Sequence, residues 1–329
     1  QDLSIIDAMG VSRVFTIENA SYVNLSYLTL TGGMTDGLYP LNHGGGIRMR
    51  LCDVITFDNI TISDNRSKFG GGISAYFSKL VIEDAVFDGN MAICEDVNLD
   101  GECDLQGDVD DPFLGGGGAV FVAGIQYPVN TILNRVVMTN NISDIGGAFC
   151  GLSGEHLSLT EVEVSENIVG RNAAIYLAMV ENTFFDRVDI SDNTGCTAED
   201  GSGTGGLFMQ VFNNDGTTDV LNRVSITNNE GGGIYLYGTS TNPTLSNLII
   251  TNNTGTGIYC FTSAPYIKNT IVKDNNGGNG GGINLYVSVN ATIDPVLENV
   301  LIINNTATEK GGGLFLESAH PTLVNVTIS

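Results

Sequence analysis

One arrangement of apolar and polar positions recurs down the chain. An apolar residue, two further residues and an asparagine are followed, after a spacer, by a glycine run and another apolar residue. The asparagine half reads Ile62-Ser-Asp-Asn65, Phe87-Asp-Gly-Asn90, Met138-Thr-Asn-Asn141, Val164-Ser-Glu-Asn167 and Ile190-Ser-Asp-Asn193. It continues as Ile226-Thr-Asn-Asn229, Ile250-Thr-Asn-Asn253, Val272-Lys-Asp-Asn275 and Ile302-Ile-Asn-Asn305. The glycine half includes Gly44-Gly-Gly-Ile47, Gly70-Gly-Gly-Ile73, Gly231-Gly-Gly-Ile234, Gly280-Gly-Gly-Ile283 and Gly311-Gly-Gly-Leu314. Successive asparagines are usually 22 to 30 residues apart. A repeat of that length, with short apolar segments in every copy, is the mark of a β-solenoid.

The predicted fold is all-β: a right-handed, single-stranded parallel β-helix of about eleven coils, roughly 50 Å long at the spacing of neighbouring strands. Each strand is too short to stand alone and gains backbone partners from its equivalent one coil away. The asparagine is expected to take the left-handed backbone conformation at the turn, and stacked copies to share side-chain hydrogen bonds as a ladder. Glycine supplies positive φ at a tight corner. Pro243, Pro265, Pro295 and Pro321 each precede a strand, where proline is tolerated, so they predict equivalent positions. Helices are excluded, because a glycine triplet weakens one by about 1 kcal/mol per residue. Residues 1–20 are less regular and are expected to form an N-terminal cap or docking segment. Residues 21–329 form the solenoid, with an acidic loop inserted at 91–114.

Composition narrows the class. Glycine is 43 of 329 residues, against about 7% in average usage. The formal charge is −24, which repels nucleic acid and anionic lipid and attracts divalent cations. No run approaches the roughly 20 apolar residues of a membrane helix. Sequons begin at Asn19, Asn24, Asn59, Asn65, Asn141, Asn252, Asn290, Asn304 and Asn325, so the chain is a candidate for glycosylation and an extracellular or cell-surface location is expected.

The sharpest local signal lies in the insert. Asp96, Asn98 and Asp100 have Ca²⁺-loop spacing, Gly101 allows a sharp turn, Glu102 offers its carbonyl and Asp104 falls at a water-mediated position. The twelfth position is Gly107, where a bidentate acid is expected, and Asp108 is a nearby substitute. The run resembles dockerin and thrombospondin-type loops, which implies Ca²⁺ as a cofactor. Cys94 and Cys103 flank it as a candidate disulfide. Cys52, Cys150, Cys196 and Cys260 are scattered. Cys150 and Cys260 align at one repeat position in this reading and are expected as buried thiols. His43, His156 and His320 have no metal spacing and are expected at turns or on the surface. Arg48 and Arg50 alternate on one strand with Lys79 a coil later, and Asp186, Asp189 and Asp192 lie near one turn. Neither group amounts to a catalytic cluster. The absence of Trp and an aromatic content of 8% argue against aromatic sugar platforms.

The paired motifs resemble the repeats of polymorphic outer-membrane protein adhesins and the wider pectate-lyase-like right-handed β-helix superfamily, over about residues 20–329. That resemblance implies the fold; the superfamily spans lyases, hydrolases, epimerases, adhesins and tail spikes, so it leaves the function open. Residues 1–329 themselves are not expected to include a membrane barrel, a departure from the adhesin pattern. The segment Pro321–Ser329 reads as a clean strand, whose open edge is expected to meet further chain or another subunit. The expected function is an extracellular structural or adhesive protein, self-associating in a filament or surface assembly. The alternative is a polysaccharide lyase or glycoside hydrolase on the same fold, and the balance leans away from an enzyme.

Overall fold

A computed structural model describes residues 4–35, 42–93, 115–124, 129–170, 172–195, 204–210, 219–239, 241–287 and 293–329. The described residues hold strands and turns and no helix. They stack into a broad sheet of 14 strands, a narrow sheet of 11, a corner sheet of 4 and a two-stranded pair, Asn276–Asn279 with Thr306–Lys310, every pairing parallel. The eleven narrow strands match the expected number of coils. Residues 4–18 carry two strands in register with the rest: Ser4–Asp7 extends the broad sheet and Phe15–Glu18 the narrow one.

Alternation fills the core. On Val54–Ser63, Ile55, Phe57, Ile60 and Ile62 turn inward, and the side chains between them face out. From the narrow sheet Ile47, Ile73, Val120, Phe149, Ile175, Leu207, Ile234, Ile258 and Ile283 meet them as one inward column. The proline register holds: the residues after the four prolines, Thr244, Tyr266, Val296 and Thr322, stand over one another.

The expected asparagine ladder is present. Asn65, Asn90, Asn141, Asn167, Asn193, Asn229, Asn253, Asn275 and Asn305 link side chain to side chain, each Nδ2 donating to the next Oδ1 at 2.8–3.0 Å. Each Oδ1 also accepts the backbone N–H of the preceding asparagine, as Asn253 does from Asn229 at 3.0 Å. The second Nδ2 hydrogen returns to a strand carbonyl one coil back, Ile190 in the case of Asn229. Donors and acceptors thus find partners where no water enters. The ladder crosses the steps of 51 and 36 residues unbroken, so register survives insertions.

One detail of the expected turn differs. The left-handed residue is the one before the ladder asparagine: Asp64, Asn140, Glu166, Asp192, Asn228 and Asn252 have φ of 53–58°. The asparagine itself is needed for its amide, and its neighbour makes the bend. A second left-handed column, also unforeseen, kinks the middle of the broad-sheet strands at Asn59, Asp84, Arg135, Glu161, Arg187, Arg223, Asn247, Asn269 and Asn299. The glycine corners behave as expected. Gly70 has φ +65°, and a Cβ there would stand 2.0 Å from the Ile73 carbonyl oxygen.

Candidate functional site

The narrow sheet turns alternate residues outward, and those positions carry most of the clustered aromatic rings. One outward column runs Ser74, Phe121, Cys150, Tyr176, Phe208, Tyr235, Tyr259, Asn284 and Phe315. The neighbouring column, two residues further along each strand, includes Tyr237, Phe261, Tyr286 and Glu317. Three consecutive strands, Gly232–Tyr237, Ile258–Phe261 and Ile283–Tyr286, therefore present two-by-three positions, five of them aromatic and the sixth Asn284.

Stacking between coils orders these rings. Tyr235 and Tyr259 are parallel with centroids 4.7 Å apart, and Tyr237 and Phe261 are parallel at 5.0 Å. Phe261 and Tyr286 follow at 5.4 Å, while Tyr235 and Tyr237 meet edge to face across one strand. Carbon atoms in contact sit about 3.5–4.0 Å apart. Parallel rings at these distances are therefore offset like shingles, and part of each face stays uncovered. Each such pair adds about 0.5–1.5 kcal/mol beyond its buried area. Tyr237 is 37% exposed, and Tyr235, Tyr259, Phe261 and Tyr286 are half-buried.

Asn284 breaks the aromatic column. It is 8% exposed, sits between Tyr259 and Phe315, and its Oδ1 accepts no hydrogen bond. Across the seven strands from Phe149–Leu152 to Leu314–Glu317, the outward positions hold no lysine or arginine.

At the other end of this face the aromatic side chains close into a second apolar cluster of Phe69, Phe121, Ala123 and Cys150. His43, expected at a turn or on the surface, follows a turn but is buried there against Phe69, with centroids 4.7 Å apart, and against the edge of Tyr76. Its Nδ1 lies 3.5 Å from the Ser74 hydroxyl, which is itself fully buried. Burial pushes the Cys150 and Cys260 thiols well up, so both are inert thiols. They do not share a repeat position. Cys150 pairs in register with Tyr176 and faces out, whereas Cys260 pairs with Leu285 and faces the core. Matching Gly-Ala-Phe-Cys to Gly-Ile-Tyr-Cys slips the register by one, which reverses the face. Among the described cysteines, Cys52, Cys150 and Cys260 are free thiols.

The remaining groups singled out in the sequence are held by structural bonds or lie apart. Arg48 pairs with Glu18, and Lys79 falls beyond the strand Ile73–Tyr76, outside that register. Asp186 accepts from Arg223 Nε at 2.8 Å, Asn222 at 2.8 Å and Arg187 at 2.8 Å. Its burial raises the pKa, but the bonds from Arg223 and Asn222 and the two guanidinium charges outweigh that and hold it below the ordinary carboxylate range. Asp189, three residues on, shifts up: burial raises it and Glu163 and Asp192 add to this, against a hydrogen bond from Ser225. His156 is half-buried at the start of its strand, and His320 is exposed near Asp294.

Among the candidate glycosylation sites, Asn65 and Asn141 are corrected. Their amides are buried in the ladder, with Nδ2 already donating. Asn19, Asn24, Asn252, Asn304 and Asn325 are exposed and Asn59 is half-buried. Asn290, the calcium-loop candidates Asp96, Asn98, Asp100, Glu102, Asp104 and Asp108, the pair Cys94 and Cys103, and Cys196 lie outside the described residues. The described residues hold no cluster of metal-ligating side chains and no helix long and apolar enough to cross a membrane.

The aromatic grid escaped sequence reading because a low total of aromatic residues conceals their placement. Aligning the copies on the glycine run and reading the second and fourth residues of Ile234-Tyr-Leu-Tyr237, Ile258-Tyr-Cys-Phe261 and Ile283-Asn-Leu-Tyr286 would have found it.

Comparison with known proteins follows the fold. No curated protein matches the chain in sequence. Among solved structures it is similar to the periplasmic alginate epimerase AlgG: 10% identity, 94% of this chain and 83% of that chain covered, TM-score 0.47. A double mutant of that epimerase gives 10% identity, 97% and 76% coverage and a TM-score of 0.44. These comparisons supply no counterpart for the likeness to polymorphic outer-membrane adhesins. Residues 209–329 match the family model described as the right handed beta helix region, and with its stacked parallel sheets the chain has the fold of a right-handed parallel β-helix.

Proposed function

We propose that this chain is an extracellular binding rod, an adhesive β-helix that holds a polysaccharide along the outer face of its narrow sheet. The observation that carries this reading is the grid of half-exposed rings on three successive coils, Tyr235 and Tyr237, Tyr259 and Phe261, and Tyr286. A sugar polymer has apolar C–H faces that pack on such rings and hydroxyls that bond to phenol oxygens. A repeating ligand suits a surface that repeats at every coil. Nucleic acid, which also stacks on aromatic rings, needs a positive groove that this face lacks. Asp186 is committed to its arginines, which supports binding in place of turnover.

Retention of the purified chain on insoluble polysaccharides tests the proposal. Wild type should be retained, and Tyr237→Ser with Tyr286→Ser should reduce retention by at least about tenfold while the melting transition persists. Equal retention of both proteins would overturn the assignment to this face. New reducing ends or unsaturated products, with or without Ca²⁺, would favour the enzyme reading.

A further inference from the structure

Resting on that reading of the narrow face, we infer that its first coils form an anion subsite. Arg13, Arg48 and Arg50 hold the carboxylate or sulfate of a sparsely charged polysaccharide whose uncharged sugars lie along the aromatic rows. Arg48 and Arg50 point outward from one narrow-sheet strand, Ile47–Arg50, on which Ile47 and Met49 are buried. Arg13 joins them from the coil before. Its Nη1 donates to Thr16 Oγ1 at 3.3 Å, and Thr16 stands in register with Arg48. Glu18, in register with Arg50, pairs with Arg48. Arg50 is exposed and forms no hydrogen bond or ion pair with a described residue. Three guanidinium groups thus flank one carboxylate, in a chain of net charge −24. Burial and the Arg48 charge push the Arg13 pKa down, against a smaller lift from Glu18. A cation whose surroundings oppose its charge is stabilised by an incoming anion. Guanidinium meets a carboxylate or sulfate with two parallel N–H donors, which fixes direction as well as charge.

The rest of the face sets how that charge is spaced along the ligand. Beyond Arg50, eight consecutive strands, from Ile73–Tyr76 to Ile283–Tyr286, hold no Lys, Arg, Asp or Glu at their outward positions. At the spacing of neighbouring strands that is roughly 38 Å of uncharged surface. Tyr76, in register with Arg50, begins it, and the grid from Tyr235 to Tyr286 lies at its far end. An anion held at the arginines leaves the following sugars over side chains with no cation for a second one. One carboxylate on every sugar would bring unpaired charge onto a partly dry surface. A chain with scattered acidic substituents meets both conditions. Nucleic acid does not, because its phosphates follow one another at every nucleotide.

Affinity electrophoresis and calorimetry with matched soluble polymers test this. Hydroxyethylcellulose is set against lightly carboxymethylated and lightly sulfated cellulose, glycol chitin against carboxymethyl chitin, and polygalacturonate serves as the fully charged chain. At low salt and without divalent metal, wild type should bind a lightly charged chain about tenfold more tightly than its neutral partner and than polygalacturonate. Arg50→Gln, which breaks no bond of the fold, should bring the charged chain down to the neutral one with an unchanged melting temperature. Lys268→Gln, on the broad sheet, should keep the preference, and about 1 M salt should remove it. Three results would overturn the inference: equal affinity for charged and neutral partners, polygalacturonate as the tightest ligand, or a preference that Arg50→Gln leaves intact or Lys268→Gln abolishes. If Tyr237→Ser with Tyr286→Ser still loses the neutral chains, the polysaccharide-binding face stands without the subsite. Failure to bind any of the polymers, together with no retention on insoluble polysaccharides, would overturn the face and the subsite with it. Tighter binding of the sulfated than of the carboxymethylated cellulose would identify sulfate as the anion, and the reverse a carboxylate.

Discussion

Asparagine stacks twice in this molecule, and the two stacks work by different physics. The inner ladder, Asn65 to Asn305, is buried for most of its length, and both donors from one coil converge on the next Oδ1. The outer column, Asn247, Asn269, Asn299 and Asn325, lies on the surface at φ of 49–58°. Its side-chain links range from 2.7 to 3.4 Å and run in the opposite direction, from later coil to earlier. Inside, asparagine is needed as an amide; outside, for its tolerance of left-handed backbone. The same letter at the same period therefore marks an irreplaceable side chain in one column and a replaceable backbone in the other.

The strongest way to break the comparison is Asn229→Leu. It removes the acceptor of the Asn193 backbone N–H and of one Asn193 Nδ2 hydrogen, and takes a donor from the Ile190 carbonyl and from Asn253 Oδ1, in a dry corner. At about 1–3 kcal/mol for each buried group, a loss of about 3–6 kcal/mol is expected from urea midpoints. A loss below about 1 kcal/mol would mean the ladder is ornamental. Next comes Asn269→Val, which forces a β-branched residue into the left-handed region and should cost about 1–2 kcal/mol by the same measurement. Asn269→Gly should change stability by less than about 0.5 kcal/mol, since glycine takes positive φ freely; a larger loss would promote the exposed links to structural bonds.

Acid sharpens the contrast without a large effect. The inner ladder has no titratable member, whereas the outer column carries Arg135 on Asp84 and Arg187 on Glu161, with Arg223 on the adjacent Asp186. The folded pKa of Asp186 lies below its unfolded value, so its contribution is present above about pH 4 and fades as pH falls through the folded pKa. The stability difference between wild type and Asp186→Asn should hold constant from pH 7 to 5 and shrink below about pH 4. A difference that persists at pH 2 would locate the effect in packing.

Much of the architecture was legible because the chain reports it in a period. Every coil must solve the same corner, so Asn229 and Asn253 recur at matching positions and predict the bond at 3.0 Å that joins them. What was not legible depends on single-residue registration. Cys150 and Cys260 look equivalent by local motif and face opposite sides, because a strand reverses its face with each residue. His43 stands in register with Phe69 just before the glycine run, but that position holds His, Phe, Gly and Ile in successive coils, so its chemistry does not repeat and did not announce the packing on Phe69 and Tyr76. The left-handed role went to Asp64 and Asn228 because an amide that closes the ladder has to point inward, and that leaves the bend to its neighbour. The aromatic grid was invisible as composition and visible only as a column.

The amides of the inner row all point one way: every Nδ2 gives to the coil that follows, and no link is reversed. Dipoles set head to tail add along their axis and polarise one another. The rod is therefore an electret in miniature, with its positive pole toward the C-terminal coils and its negative pole toward the first.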